Sequence, residues 1–120
     1  MELKLFDSER KVMQVLWEAD APLTAKEIAA RLGGTVGWNK NTTYTVIKKC
    51  VEKGAIERRE PNFQCYPLIC REEAQTAAAE ELGEKVFDGS ASLLFASLLN
   101  GKKLSREEIQ RLRKLVDELE

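Results

Sequence analysis

Apolar residues recur through the first 54 positions with the spacing of three short helices. Between residues 8 and 19, Val12, Met13, Leu16 and Trp17 fall on one stripe, with Asp7 placed to cap the N-terminus. Asp20, Ala21 and Pro22 end that helix, because proline has no N–H to continue the ladder and turns the residue before it away from helical geometry. A second helix starts at Thr24, which forms a capping box with Glu27, carries Ile28, Ala29 and Leu32, and is expected to stop at Gly33 and Gly34. The third follows Asn39, another good cap, and runs through KNTTYTVIKKCVE to Gly54. Its Thr43, Val46, Ile47, Cys50 and Val51 share one face, which predicts that this side packs on the two preceding helices.

At 100° per residue the opposite face of the third helix presents Asn41, Thr42, Thr45, Lys48, Lys49 and Glu52, with Tyr44 on the border. Asn, Thr and Lys side chains supply the donors, acceptors and methyl groups that meet base edges and phosphates. After Gly54 the period changes. AIERRE, a turn at Pro61 and Asn62, and FQCYPLI read as a β-hairpin, with Arg58 and Arg59 just before its tip. Being adjacent on a strand, the two arginines point to opposite faces. From Arg71 onward the chain is helical again. One helix covers REEAQTAAAEELGEKVF, a second about 90–100, and a third opens at a capping box of Ser105 and Glu108. Val86, Phe87, Leu94, Phe95, Leu98, Ile109, Leu112, Leu115, Val116 and Leu119 make apolar stripes on these helices.

Three helices closed by a two-stranded wing is the layout of a winged helix-turn-helix. The expected fold is therefore mainly α with a small β-hairpin. A winged helix-turn-helix DNA-binding domain would fill residues 1–70, and a helical dimerisation domain residues 71–120. Length agrees, since 120 residues hold one modest core and a second small unit would lean on a partner chain. Those apolar stripes are the expected contact between two copies.

Charge and composition narrow the chemistry. The net charge is −1, but residues 1–70 hold 11 basic and 9 acidic side chains against 8 and 11 in residues 71–120. Within 38–60 there are six basic residues and three acidic ones, so the positive charge gathers around the third helix and the hairpin. The chain has no histidine, which removes the commonest acid/base and the usual zinc ligand, and no constellation supports catalysis; we expect a non-enzyme without cofactor or metal. Three cysteines without a CxxC pair argue against a disulfide framework. Cys50 reads as core. The longest weakly polar stretch is the nine residues from Ala91 to Leu99, and the N-terminus is charged where an export signal is apolar; a cytoplasmic protein without a membrane partner is expected.

VMQVLWE at 12–18, TAKEIAARL at 24–32, WNKNTTYTVIKKCVEKG at 38–54 and the CYPL ending of the hairpin resemble the penicillinase-repressor family, which includes methicillin-resistance and copper-responsive repressors. FDGSASLLF and SREEIQRLRKLV extend the likeness over nearly the whole chain. The resemblance implies a sequence-specific, homodimeric repressor of transcription that binds a palindromic operator in double-stranded DNA and is released by a signal. It places Asn41, Thr42, Tyr44, Thr45 and Lys49 at the DNA, with partly different side chains at Asn41, Tyr44 and Lys49; outward position and basic charge add Lys40 and Lys48 of the third helix and Arg58 and Arg59 of the wing as expected DNA contacts. Thr42 and Thr45 match the family's reading helix best. The β-lactam-responsive members are cleaved at an Asn-Phe bond, and LLFASLLN lacks that pair; the copper-responsive members carry cysteine motifs near the C-terminus, and no cysteine follows Cys70. The inducing partner, whether a regulatory protease, a small molecule or a redox signal, is thus unassigned. Two alternatives fit the same residues. One is a winged-helix module for protein contacts or RNA, which the modest basic charge favours. The other is a thiol-based redox- or metal-responsive regulator using Cys65 and Cys70.

Overall fold

The three N-terminal helices form where the apolar stripes place them, and their ends show which local signals act. The computed structural model describes residues 4–101 and 104–118. Helix α1 spans Asp7–Ala19 and buries Val12, Met13 and Leu16. Asp7 is its first helical residue and not its cap. The cap is Phe6, whose N–H donates to the Glu9 carboxylate at 2.8 Å, so a carboxylate one turn in does the work expected of Asp7. A short strand β1, Leu23–Thr24, leads into α2, Ala25–Thr35. The Thr24 hydroxyl accepts from the Glu27 N–H at 3.1 Å and Glu27 accepts in return from the Thr24 N–H at 3.1 Å.

Helix α2 does not stop at Gly33 and Gly34, as the sequence suggested; it continues through both to Thr35. Glycine costs a helix interior only about 1 kcal/mol relative to alanine, less than the ladder bonds and packing that carry the turn onward. The left-handed residue that redirects the chain is Gly37, at φ 73°. Helix α3 then spans Lys40–Glu52, capped by Asn39, and buries Thr43, Val46, Ile47 and Cys50.

Strands β2, Ile56–Arg59, and β3, Gln64–Pro67, form the expected hairpin, antiparallel with Arg58 opposite Cys65 and Arg59 opposite Gln64. The sheet has a third member, since β1 pairs with the other edge of β3, setting Leu23 opposite Cys65. At two residues β1 has no alternation to read. It nevertheless closes the core, in which Leu23, Ile56 and Cys65 from the sheet meet Met13, Leu16, Ile28 and Ile47 from the helices. The Leu, Ile and Met side chains among them each contribute on the order of 1.5–3 kcal/mol by leaving water. The Trp17 indole N–H donates to the Ile69 carbonyl at 3.0 Å and fastens the segment after the sheet to α1.

Helix α4 covers Arg71–Val86, α5 Ala91–Gly101 and α6 Arg106–Glu118. Two compact units divide the chain, residues 1–80 and 81–120, so the division falls inside α4 and its first turns stay with the first unit, where Ala74 lies against the core. In the second unit Ser90 caps α5 through the Leu93 N–H at 3.1 Å, and Ser105 caps α6 through the Glu108 N–H at 3.1 Å. Among the described residues none of α4, α5 or α6 holds a buried side chain. Val86, Phe95, Leu98, Ile109, Leu115 and Val116 are exposed, Phe87, Leu94 and Leu112 half-buried, and Leu119 lies outside the described residues.

Candidate nucleic-acid interface

The polar side of α3 faces outward because its inward side is fixed at both ends. At the start, the Asn39 side chain accepts from the Thr42 N–H at 2.8 Å, which leaves Lys40, Asn41 and Thr42 exposed on the first turn. At the end, the Lys53 ammonium donates to Glu9 Oε1 at 2.6 Å and to the Lys4 carbonyl at 2.9 Å, and stands 4.2 Å from the centroid of the Phe6 ring. Glu9 is 2% exposed and Lys53 26%, so the pair is largely withdrawn from water. It links the entry of α1 to the exit of α3 across 44 positions of sequence. Nothing local announces it, although an acidic residue one turn into a helix next to the apolar Val12 and Met13 is a usable hint.

Between these anchors Thr45, Lys48 and Lys49 face solvent with Asn41 and Thr42, and the Thr45 hydroxyl donates to the Asn41 carbonyl at 2.9 Å. The face carries Lys48 and Lys49 against the single carboxylate of Glu52, and Lys40 is exposed to one side of it, over Tyr44. Tyr44 behaves differently. It is half-buried, its ring meets Phe63 edge-on at 6.2 Å, and Lys40 lies 5.5 Å above it. Tyr44 therefore joins α3 to the wing and is only partly available to a ligand.

Both wing arginines are exposed and on opposite faces of β2, Arg58 on the side of Ile56 and Cys65. The Arg58 guanidinium stacks 3.7 Å from the centroid of Phe63, and its Nε donates to Glu60 at 2.7 Å. Arg59 stacks 3.9 Å from the centroid of Tyr66 and pairs with Glu57. Glu60 also receives the Phe63 N–H at 3.2 Å, and these bonds hold its carboxyl below the usual carboxylate value. The aromatic contacts thus bring Lys40, Tyr44 and Arg58 together through Phe63, with Arg59 on the other side of the wing. Reading the sequence for charge alone missed the four partners Glu57, Glu60, Phe63 and Tyr66; the alternation of ERRE with the aromatic positions of β3 was the signal available.

The thiols contribute little. Cys50 and Cys65 are buried in the core, and burial pushes them up to about 12 and about 11. Cys70 is exposed at the start of α4.

From residue 5 to residue 118 the chain matches the penicillinase repressor family model. It belongs to that family. Among curated members, the methicillin resistance regulatory protein MecI of Staphylococcus aureus (strain N315) is 25% identical over 116 residues, 95% of this chain and 94% of that protein. The penicillinase repressor of Bacillus licheniformis is 23% identical over 117 residues, 96% of this chain and 91% of its own. The solution structure of the DNA-binding domain of the repressor BlaI superposes with a TM-score of 0.55 at 24% identity, covering 61% of this chain and 90% of that one. This penicillinase-repressor chain therefore has the same winged-helix fold in its N-terminal part. Among the described residues no helix is long and apolar enough to cross a membrane.

Proposed function

We propose that this member of the penicillinase repressor family is a sequence-specific, homodimeric repressor of transcription, cytoplasmic and not enzymatic, that holds a palindromic operator until a signal releases it. The observation that carries the reading is the exposed run of Asn41, Thr42, Thr45, Lys48 and Lys49, backed by a helix face on which Thr43, Val46, Ile47 and Cys50 are buried. Thirteen residues at 1.5 Å each make α3 about 20 Å long, which suits the width and depth of a major groove. The wing then reaches the neighbouring backbone with Arg58 or Arg59. One such module makes few phosphate contacts, so useful affinity at physiological salt calls for two, with half-sites about 34–36 Å apart.

The helical region from residue 71 onward supplies the second copy. Its support is the number of large apolar side chains left open to water on α4, α5 and α6, which a soluble chain covers by pairing. Selection of bound fragments from genomic DNA, followed by mobility shift on the recovered sequence, tests the proposal. Recovery of an inverted repeat retained as a two-chain complex is the expected result. A chain that retains no duplex above background would refute it.

A further inference from the structure

Residues 57–60 read Glu, Arg, Arg, Glu, and the fold turns that order into two neutral pairs. Side chains two apart on a strand share a face, so Glu57 meets Arg59 on one side of the wing and Arg58 meets Glu60 on the other. Each guanidinium lies between a carboxylate and an aromatic ring, Arg58 at 3.7 Å from Phe63 and Arg59 at 3.9 Å from Tyr66. Glu60 is fixed in turn by the Phe63 N–H at 3.2 Å, and Tyr66 by its hydroxyl, which donates to Gln64 at 3.1 Å. The wing tip is thus an ordered surface of zero net charge, whereas α3 carries Lys40, Lys48 and Lys49 against Glu52.

We propose that Glu57 and Glu60 determine specificity by holding both wing arginines in carboxylate pairs, which weakens the wing's attraction for DNA of arbitrary sequence. The inference rests on the reading of the chain as a duplex-DNA binder. Arginine–phosphate contacts raise affinity for every sequence alike, because they act through release of condensed counterions. A wing with two unpaired arginines would add that affinity everywhere. With the carboxylates in place, an arginine whose Nε is held in its pair meets a phosphate with a negative charge standing beside the backbone, and one that leaves the pair gives up that partner as well. Discrimination is a difference between two affinities, so lowering the shared part leaves more of the total to α3.

The test is fluorescence anisotropy of the full-length protein on a labelled duplex of arbitrary sequence, titrated between 50 and 200 mM salt, the range over which counterion release dominates. Glu57→Gln, Glu60→Gln and the double variant remove the charges, and glutamine keeps an oxygen for the Phe63 N–H. The double variant should bind tighter than wild type at low salt, by about two- to fivefold per arginine, the strength of an exposed ion pair. Its affinity should fall about 3.5-fold more over that salt range for each arginine freed. Adding Arg58→Gln and Arg59→Gln should return the salt slope to that of wild type. Glu18→Gln, which removes one charge from α1, should leave the slope where it was. Wild type that binds the duplex, with both single variants and the double variant unchanged in affinity and slope, overturns the inference alone. Wild type that binds no duplex even at low salt overturns the functional reading and the inference with it.

Discussion

Replacing Lys53 by methionine should destabilise the protein far more than a partly exposed lysine normally would. The ammonium lies 2.6 Å from Glu9 Oε1, an oxygen that also receives the Phe6 N–H at 2.8 Å, and Glu9 is 2% exposed. Without Lys53 that carboxylate stays buried with the Phe6 N–H still donating to it and the ammonium lost. Breaking a fully buried ion pair from one side costs about 3–5 kcal/mol. Lys53 retains 26% of its exposure, so water compensates part of the loss and about 2–3 kcal/mol is expected. For a unit of this size the melting temperature should then drop by roughly 10–20 °C. Urea unfolding followed by far-ultraviolet circular dichroism measures the difference. The double variant Glu9→Leu/Lys53→Met removes both charges and should recover to within about 1 kcal/mol of wild type. A loss below about 0.5 kcal/mol for Lys53→Met, the size of an ordinary surface substitution, would refute the reasoning. So would a double variant whose loss equals the sum of the two single ones.

Thr45→Ala with Lys49→Ala should weaken operator binding by about 1–3 kcal/mol for the base-reading contact and lower the salt slope by about 1, with stability unchanged, as titration on the selected operator would reveal. Aspartate at Leu112 and Leu115 should give monomers with poor operator affinity; dimers persisting in sedimentation would contradict the assembly. Glu27, Glu60 and Glu73 are held below their ordinary value of 4.5, chiefly by the backbone N–H groups of Thr24, Phe63 and Cys70. Folding favours their ionised forms, so that stabilisation is complete above pH 4.5 and is lost as pH falls through the depressed values. A variant with glutamine at all three should show a flatter acid melt, and an unchanged profile would count against these bonds. Finally, an alkylating reagent should modify Cys70 in the native protein and reach Cys50 and Cys65 only after denaturant is added, which mass spectrometry resolves.

Features written into neighbouring residues were legible, and those made by distant ones were not. The stripes of Val12, Met13 and Leu16 and of Val46, Ile47 and Cys50 predicted both the helices and their buried sides, because a period near 3.6 is a local property. The cap at Asn39 and the box of Thr24 with Glu27 were equally visible. Gly33 and Gly34 misled because glycine permits a turn without requiring one; the positive φ lies three residues later, at Gly37. Strand β1 exists only through β3, forty residues on, and Glu9 meets Lys53 only once the core has closed. At the interface, the exposed residues of α3 followed from helical geometry. The role of Tyr44 as a strut against Phe63 did not, since it depends on where the wing folds back.

The bond from Thr45 to the Asn41 carbonyl decides how that hydroxyl can speak to a base. Its one proton is engaged within the helix, so toward a groove the oxygen offers lone pairs and the neighbouring methyl offers apolar surface. The complementary edges are the exocyclic amines of adenine and cytosine for the oxygen, and the thymine methyl for the carbon. Guanine, whose major-groove edge consists of acceptors, is the base this position is least suited to meet.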